Sequence, residues 1–399
     1  MNLTGSRRKT GPMNLLAWVI LLLELAFLNL AQAQEAPRQL TLSLTGDPKT
    51  TMTVAWTTAS RDLPLMEYWR DEETPQSATG TSQRLVHSGF RHTVELRGLT
   101  PGSIYNTRIG DAQYHFRTAP ESADAKVSFI ALGDSRQDQG ETDLARWAQV
   151  AKAAAAEESD FTLFTGDMVL SGFVPRWWDM WFDAGAPLLS KAPFMVAMGN
   201  HEMASPAFDR RIATPGGASL YSFDYGPVHV SVVNTDPSLA VSTDPESFPA
   251  PLGPGSVQYA WLESDLKAVP EGMWKVVMMH RSPYSAASHG DQQDVQALVP
   301  LFDKYQVQLV VSGHDHSYQR FLPMAAGAPV PVGTPATAYV VAAGAGAPLY
   351  DVNMQDPRLA KAAKAFNYVL IHADAKTLSL EAKDAMTGQL LDAATVGKR

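Results

Sequence analysis

An all-β sandwich followed by a layered α/β domain is the fold this chain predicts, and three observations carry the prediction. Short alternating strands separated by Gly and Pro turns fill residues 36–119. From Lys126 onward strand and helix patterns alternate, which buries a sheet under helices. Five short polar motifs then stand in order, each at the end of an apolar run.

The β module opens with Leu40-Thr41-Leu42-Ser43-Leu44, turns at Gly46-Asp47-Pro48 and alternates again through Met52-Thr53-Val54-Ala55-Trp56. His92 to Leu96, Tyr105 to Arg108 and Tyr114 to Arg117 continue the pattern around the turn Leu99-Thr100-Pro101-Gly102, and such spacing suggests a small sandwich. Ala119 to Asp124 reads as a linker.

In the second domain, residues 126–395, buried strands are expected at Val127 to Leu132, Phe161 to Thr165, Phe194 to Met198, Val228 to Val233, Trp274 to Met279 and Val307 to Val311. Helices are expected at Asp143 to Glu157, Val174 to Phe182, Gly255 to Lys267 and Asp291 to Tyr305. The strands Ala338 to Val341, Tyr368 to His372 and Thr377 to Lys383 are expected to finish a second sheet.

The N-terminus carries Arg7, Arg8 and Lys9, then an apolar run from Leu15 to Leu30, then Ala31-Gln32-Ala33. That order is the pattern of a signal peptide cleaved after residue 33. Glu24 interrupts the run, which argues against a lasting membrane anchor. Ordinary secretion fits this apolar run better than twin-arginine export. Loss of residues 1–33 removes three basic side chains and one acidic one, taking the formal charge from −9 to −11. An acidic chain is a poor partner for nucleic acid or anionic lipid. With no cysteine at all, disulfides and thiolate ligands are excluded. A periplasmic or secreted protein is expected, with no membrane anchor after cleavage.

The five motifs are Gly133-Asp134, Gly166-Asp167, Gly199-Asn200-His201-Glu202, Val277-Met278-Met279-His280 and Gly313-His314-Asp315-His316. Carboxylates, an amide oxygen and imidazoles form a mixed oxygen and nitrogen set that suits two borderline metals. Ligands at the carboxyl ends of strands are where α/β folds place their sites. Context discriminates among them: Gly46-Asp47 and Gly110-Asp111 are turns of the β module, and Gly290-Asp291 reads as a helix start with Asp291 near its N-cap. His87, His92, His115, His229 and His372 read as structural, and Trp177, Trp178 and Trp181 as packing. His289, in a loop nine residues after His280, is a candidate for touching substrate. Two close metals can activate a water and clamp a phosphoryl group, so a small phosphate ester is the expected substrate.

The ordered motifs resemble the metallophosphoesterase superfamily, and the chain from about residue 36 to 395 resembles the purple acid phosphatases in particular. The resemblance includes Leu42 to Pro48, Thr53 to Thr58, His92 to Gly102 and Phe116 to Pro120 in the β module. It extends to His280-Arg281-Ser282-Pro283-Tyr284-Ser285 and His314-Asp315-His316-Ser317-Tyr318. The resemblance implies a fibronectin-like sandwich and a four-layer α/β/β/α catalytic domain. It also implies that Asp167 bridges two metals, that Asn200, His280 and His314 hold the second, and that Asp134 and His316 hold the first. Iron paired with zinc, manganese or a second iron is the implied content. His201 would protonate the leaving alkoxide or polarise the ester, and His289 would lie near the substrate phosphate.

Two positions depart from the family pattern. Leu170 stands where purple acid phosphatases have a tyrosine, and Arg136 stands where other metallophosphoesterases have a histidine. Neither side chain is a metal ligand, and the Arg136 guanidinium instead suits a phosphate or a metal-binding carboxylate, the phosphate contact being favoured. The expected activity is monoester hydrolysis through a metal-bound hydroxide. A phosphodiesterase using the same site and an exported binding protein with a degenerate metal site stay open at this point.

Overall fold

The computed structural model describes residues 36–122, 124–138, 144–236, 251–331 and 333–397, and the expected signal segment lies outside them. The first module is a sandwich of two four-stranded antiparallel sheets. One runs Arg38–Ser43, Thr51–Thr58, Gly89–Arg97, Thr81–Leu85 and the other Gln76–Thr79, Leu65–Arg70, Ile104–Ile109, Ala112–Arg117. Leu65–Arg70, Gln76–Thr79 and Thr81–Leu85 were not legible as strands. Gln76–Thr79 and Thr81–Leu85 are mostly polar and exposed, and Leu65–Arg70 strings apolar and charged residues together without alternation, so none offers a period of two to read.

The second domain stacks two mixed sheets face to face between helices. Its six-stranded sheet runs Phe194–Val196, Phe161–Phe164, Val127–Leu132, Asn367–Ala373, Leu378–Asp384, Leu390–Val396. The seven-stranded sheet runs Tyr221–Tyr225, Val228–Val232, Trp274–Met278, Leu309–Ser312, Ala338–Ala342, Tyr318–Phe321, Leu359–Ala363. Strand alternation assigns the layers. Phe129, Ala131, Leu163, Val276 and Val311 point into the core between the sheets. Their neighbours Ile130, Leu132 and Phe164 point outward against Trp147, Trp178 and Trp181 of the helices Ala145–Ala155 and Pro175–Leu189. On the far side Val277 and Val310 meet Leu262, Leu266 and Phe302 of the helices Val257–Ala268 and Val299–Tyr305. The layering is therefore α/β/β/α, and continuous runs such as Phe129-Ile130-Ala131-Leu132 are apolar because both faces are covered.

Three differences from the sequence reading have physical causes. The C-terminal strands divide between the sheets: Ala338–Ala342 joins the second, whereas Asn367–Ala373 returns to pair antiparallel with Val127–Leu132 in the first. Local pattern reports that a strand is buried, not which neighbour it finds. The helix Pro175–Leu189 runs past its expected end at Phe182 because it buries one face against Trp147, which stacks on Trp181 at 5.4 Å. A Cβ on Gly185 would lie 2.6 Å from the Trp147 ring, so this helix needs glycine there. Asp291 caps no helix: its carboxylate accepts from the Ser285 amide at 3.0 Å and pairs with Arg358 at 2.6 Å.

His229 lies away from the motifs, with Nδ1 2.7 Å from Asp224 and Nε2 3.0 Å from Asp265. Burial pulls its pKa down, but the hydrogen bonds to Asp224 and Asp265 outweigh burial and lift it from 6.5 to about 9. The folded state therefore binds this proton more tightly than the unfolded chain. The resulting stabilisation is complete below pH 6.5 and disappears as pH rises through about 9. Thermal unfolding of wild type and His229→Asn across this range should show the wild-type advantage shrinking steadily with pH. An advantage independent of pH would contradict the clamp.

Candidate metal centre

The five motifs all follow parallel strands. Asp134, Asp167 and Asn200 come just after Val127–Leu132, Phe161–Phe164 and Phe194–Val196, which pair in parallel. His280 and His314 follow Trp274–Met278 and Leu309–Ser312, also a parallel pair. The carboxyl ends of both sheets thus bring their loops to one rim.

The turns that deliver the donors are strained. Asp134, Asp167 and His314 have φ of 61°, 56° and 71°, the left-handed region that side-chain-bearing residues seldom enter. Gly166 precedes Asp167 at φ 100°, where an added Cβ would lie 2.8 Å from His280 Nδ1. Strain of this kind persists where surrounding contacts over-determine the backbone. Glu202 supplies such contacts. It is fully buried, and its two oxygens accept from the amides of Asp167, Met168 and Gly199, each at 2.8 Å.

Two donor groups converge and share one residue. Atoms of Asp167, His280 and His314 lie within 4.8 Å of one another, as do atoms of Asp134, Asp167 and His316. Asn200 Oδ1 is 2.8 Å from His280 Nε2, and His314 Nδ1 is 3.2 Å from that same nitrogen. His316 Nε2 is 3.5 Å from Asp134 Oδ1. The ring orientations are fixed from behind. His280 Nδ1 donates to the Thr165 carbonyl at 2.7 Å and His316 Nδ1 to the Pro348 carbonyl at 2.7 Å, which leaves both Nε2 atoms facing inward.

The electrostatics favour cations here. Burial opposes charge on His280, yet Asp167, Asp236 and Asp134 overcome it and raise its pKa to about 9. Burial also drives Asp134 well above the usual carboxylate range, while His280, His201 and Arg136 overcome it at Asp167 and hold that carboxyl well below. Burial takes His316 down to about 3 and lowers His314 as well, so both rings present neutral nitrogens. Buried carboxylates, the neutral rings of His314 and His316, and a His280 whose proton a metal would displace form two triads that share Asp167 and fit a pair of divalent or trivalent ions.

His201, Arg136 and His289 surround this cluster. His201 Nδ1 donates to the Leu170 carbonyl at 2.7 Å, leaving Nε2 3.8 Å from Asp167 Oδ2. Leu170 thus contributes through its backbone. Arg136 Nε is 4.0 Å from Asp167 Oδ2 and makes no hydrogen bond, while Nη1 donates to the Gln137 carbonyl at 3.3 Å. The His289 ring stacks on His314 at 4.0 Å. Two participants escaped sequence reasoning. Glu202 was visible only as the last letter of its motif. Tyr350, whose ring stacks on His316 at 4.2 Å, lies in an irregular segment with no pattern to mark it.

Residues 110–318 match the Calcineurin-like phosphoesterase family and residues 37–123 match the Purple acid Phosphatase, N-terminal domain. Purple acid phosphatase 21 of Arabidopsis thaliana is 30% identical over 72% of this chain and 67% of its own length. Human Acid phosphatase type 7 is 28% identical, over 74% of this chain and 73% of its own. The solved purple acid phosphatase from yellow lupin (Lupinus luteus) seeds superposes with a TM-score of 0.79, covering 91% of this chain and 74% of that one at 21% identity.

The Glu202 contacts make a testable claim. Glu202→Ala leaves three buried amides without their acceptor and should loosen the turn that carries Asp167. Metal affinity should fall about 10- to 100-fold, as is typical when an outer support is lost. Titration of metal into the variant, read by calorimetry, checks this, and unchanged affinity would assign Glu202 to folding alone.

Proposed function

This chain belongs to the purple acid phosphatases of the calcineurin-like phosphoesterase family, metal-dependent phosphoric ester hydrolases with a dinuclear metal centre, and we propose that it hydrolyses small phosphate monoesters outside the cytoplasm. One observation carries the reading: two donor triads share Asp167, with an unengaged guanidinium nitrogen beside it. In this proposal Asp134, His316 and Asp167 hold one metal, and Asp167, Asn200, His280 and His314 hold the other. Iron with zinc, manganese or a second iron suits those donors. When bound, such a pair activates a water and offsets charge on the phosphoryl group.

The protein's own residues complete the task. His201 is held through Nδ1, so in its imidazolium form the Nε2–H bond is the one that breaks as a proton passes to the departing alkoxide, leaving the neutral ring on the Leu170 carbonyl. Arg136, mostly buried beside Asp167, has donors in a planar fork that matches a phosphate. A cation beyond the metals favours the dianion of a monoester over the monoanion of a diester. The stacking of His289 on His314 supports a role for His289 beside the same phosphate. The signal pattern at residues 1–33 supports export, and among the described residues no helix is long and apolar enough to cross a membrane.

Arg136→Ala should raise KM for 4-nitrophenyl phosphate more than it lowers kcat, with metal content unchanged. Bis(4-nitrophenyl) phosphate turned over faster than the monoester by wild type would reverse the substrate assignment. His201→Ala should keep its metals and lose about 10²–10⁴ in kcat, the usual contribution of a positioned acid. A variant that sheds metal would make His201 a ligand instead. Leu170 has no donor atom, so the iron-loaded protein should lack a violet tyrosinate band, and an absorption spectrum showing one would mean that a phenolate has reached the iron.

A further inference from the structure

Tyr350 packs directly against the metal centre. Its ring lies 4.2 Å from the His316 ring with 18° between their planes, and 5.5 Å from His289, whose ring in turn stacks on His314 at 4.0 Å. His314, His289, Tyr350 and His316 thus form a row of four rings. A metal donor stands at each end of the row, one from each triad. The Tyr350 side chain is partly exposed, and its hydroxyl has no hydrogen-bond partner among the described residues.

The segment that carries Tyr350 is pinned to the donor loops. Ala345 and Ala347 donate their amides to the carbonyls of Gly133 and Asp134, each at 2.9 Å, and the Tyr350 amide donates to the His316 carbonyl at 2.9 Å. His316 Nδ1 returns a bond to the Pro348 carbonyl at 2.7 Å. The Asn353 amide donates to the Ala286 carbonyl at 2.8 Å, in the loop between His280 and His289. Loops that follow three separate strands therefore hold one short stretch of chain. The phenol is in place before any ligand arrives, which is the condition for a polar group to act without reorganisation.

The surroundings of the hydroxyl show which way it faces. Burial raises the pKa of the phenol, and the charges that act on it are Arg136, which lowers it, and Asp134, Asp167 and Asp315, which raise it. Coulomb forces fade with distance, so a hydroxyl that answers to Arg136, Asp134 and Asp167 lies toward the first donor triad. Stacking then decides what it can reach. A histidine binds a metal through a lone pair in the plane of its ring, at about 2.0–2.1 Å. The phenol oxygen lies in the plane of its own ring, one layer removed from that of His316. It cannot come within a bond length of an ion on His316 unless the stack breaks. A phosphoryl oxygen attached to that ion stands farther out, where a hydrogen bond spans the remaining gap.

Resting on the phosphate-ester reading above, we propose that Tyr350 is a further catalytic residue whose hydroxyl donates a hydrogen bond to a phosphoryl oxygen of the ester, its ring held for that task against His316. The contact is neutral. It anchors the phosphate without adding to the positive charge that Arg136 supplies.

The test uses Tyr350→Phe, which keeps the ring and removes only the hydroxyl, beside Tyr350→Ala, which removes both. Calorimetric affinity of the metal-loaded protein for inorganic phosphate should fall about tenfold in Tyr350→Phe, the lower end of what a hydrogen bond to a charged group contributes, and kcat/KM for 4-nitrophenyl phosphate should fall with it. Metal content of Tyr350→Phe should equal that of wild type, because the stack on His316 is intact. Tyr350→Ala should lose at least as much phosphate affinity. Unchanged phosphate binding in Tyr350→Phe would overturn the contact and leave the ring as packing. Loss of metal from Tyr350→Phe would overturn it as well, by making the phenol a ligand. Phosphate binding that weakens as stated, in a protein that hydrolyses no ester, would sink the phosphatase reading while the contact stands.

Discussion

Two carboxylates, Asp134 and Asp167, are buried within reach of the same imidazoles, and the rest of the catalytic domain is arranged around that expensive placement. Removing an ion from water costs several kcal/mol even after the protein relaxes, and a second like charge beside it adds to the cost. Compensation comes from every side. The amide of His314 donates to both oxygens of Asp134, at 3.0 and 3.1 Å, and the amide of His201 donates to Asp167 at 3.0 Å. Glu202 stabilises the turn from below by accepting three amides. Asp236, itself buried and bound by Arg281 at 2.6 Å, continues the network behind His280. What remains is a strong preference for cations at the point where the two sheets meet.

That meeting point explains the order of the motifs along the chain. Each sheet alone brings only part of the donor set to its rim: Asp134, Asp167 and Asn200 from the first, His280 and His314 from the second. The apolar layer between the sheets, from Phe129 and Leu163 to Val276 and Val311, sets the spacing between them. Packing in that layer is thus a positioning device for chemistry at its edge.

The sequence was most legible where local pattern and local chemistry coincide. Apolar runs ending in Gly-Asp, Gly-Asn-His or Gly-His announced both a buried strand and a donor, and the structure brings those donors to one rim. Legibility failed where the outcome depends on distant partners. Polar edge strands such as Gln76–Thr79 exist because a neighbour supplies hydrogen bonds, not because their residues favour it. The return of Asn367–Ala373 to the first sheet is likewise a tertiary event. Tyr350 reaches His316 only because the segment after Ala342 folds back over the rim, held by the Tyr350 amide on the His316 carbonyl at 2.9 Å.

The left-handed backbone at Asp134, Asp167 and His314 restricts these positions in a way that donor chemistry alone would not. Aspartate, asparagine and histidine are among the few side-chain-bearing residues that tolerate such φ values, and they are also good donors. Glutamate offers the same carboxylate as aspartate, on a longer arm, but has no such tolerance. The admissible alphabet at each corner is therefore the intersection of two short lists, one set by coordination and one by stereochemistry. Drift in the identity of the bound ions is consequently easier at Asn200, His280 and His316, whose φ values do not fall in that region. The rim is thus divided into corners frozen by backbone geometry and corners open to change.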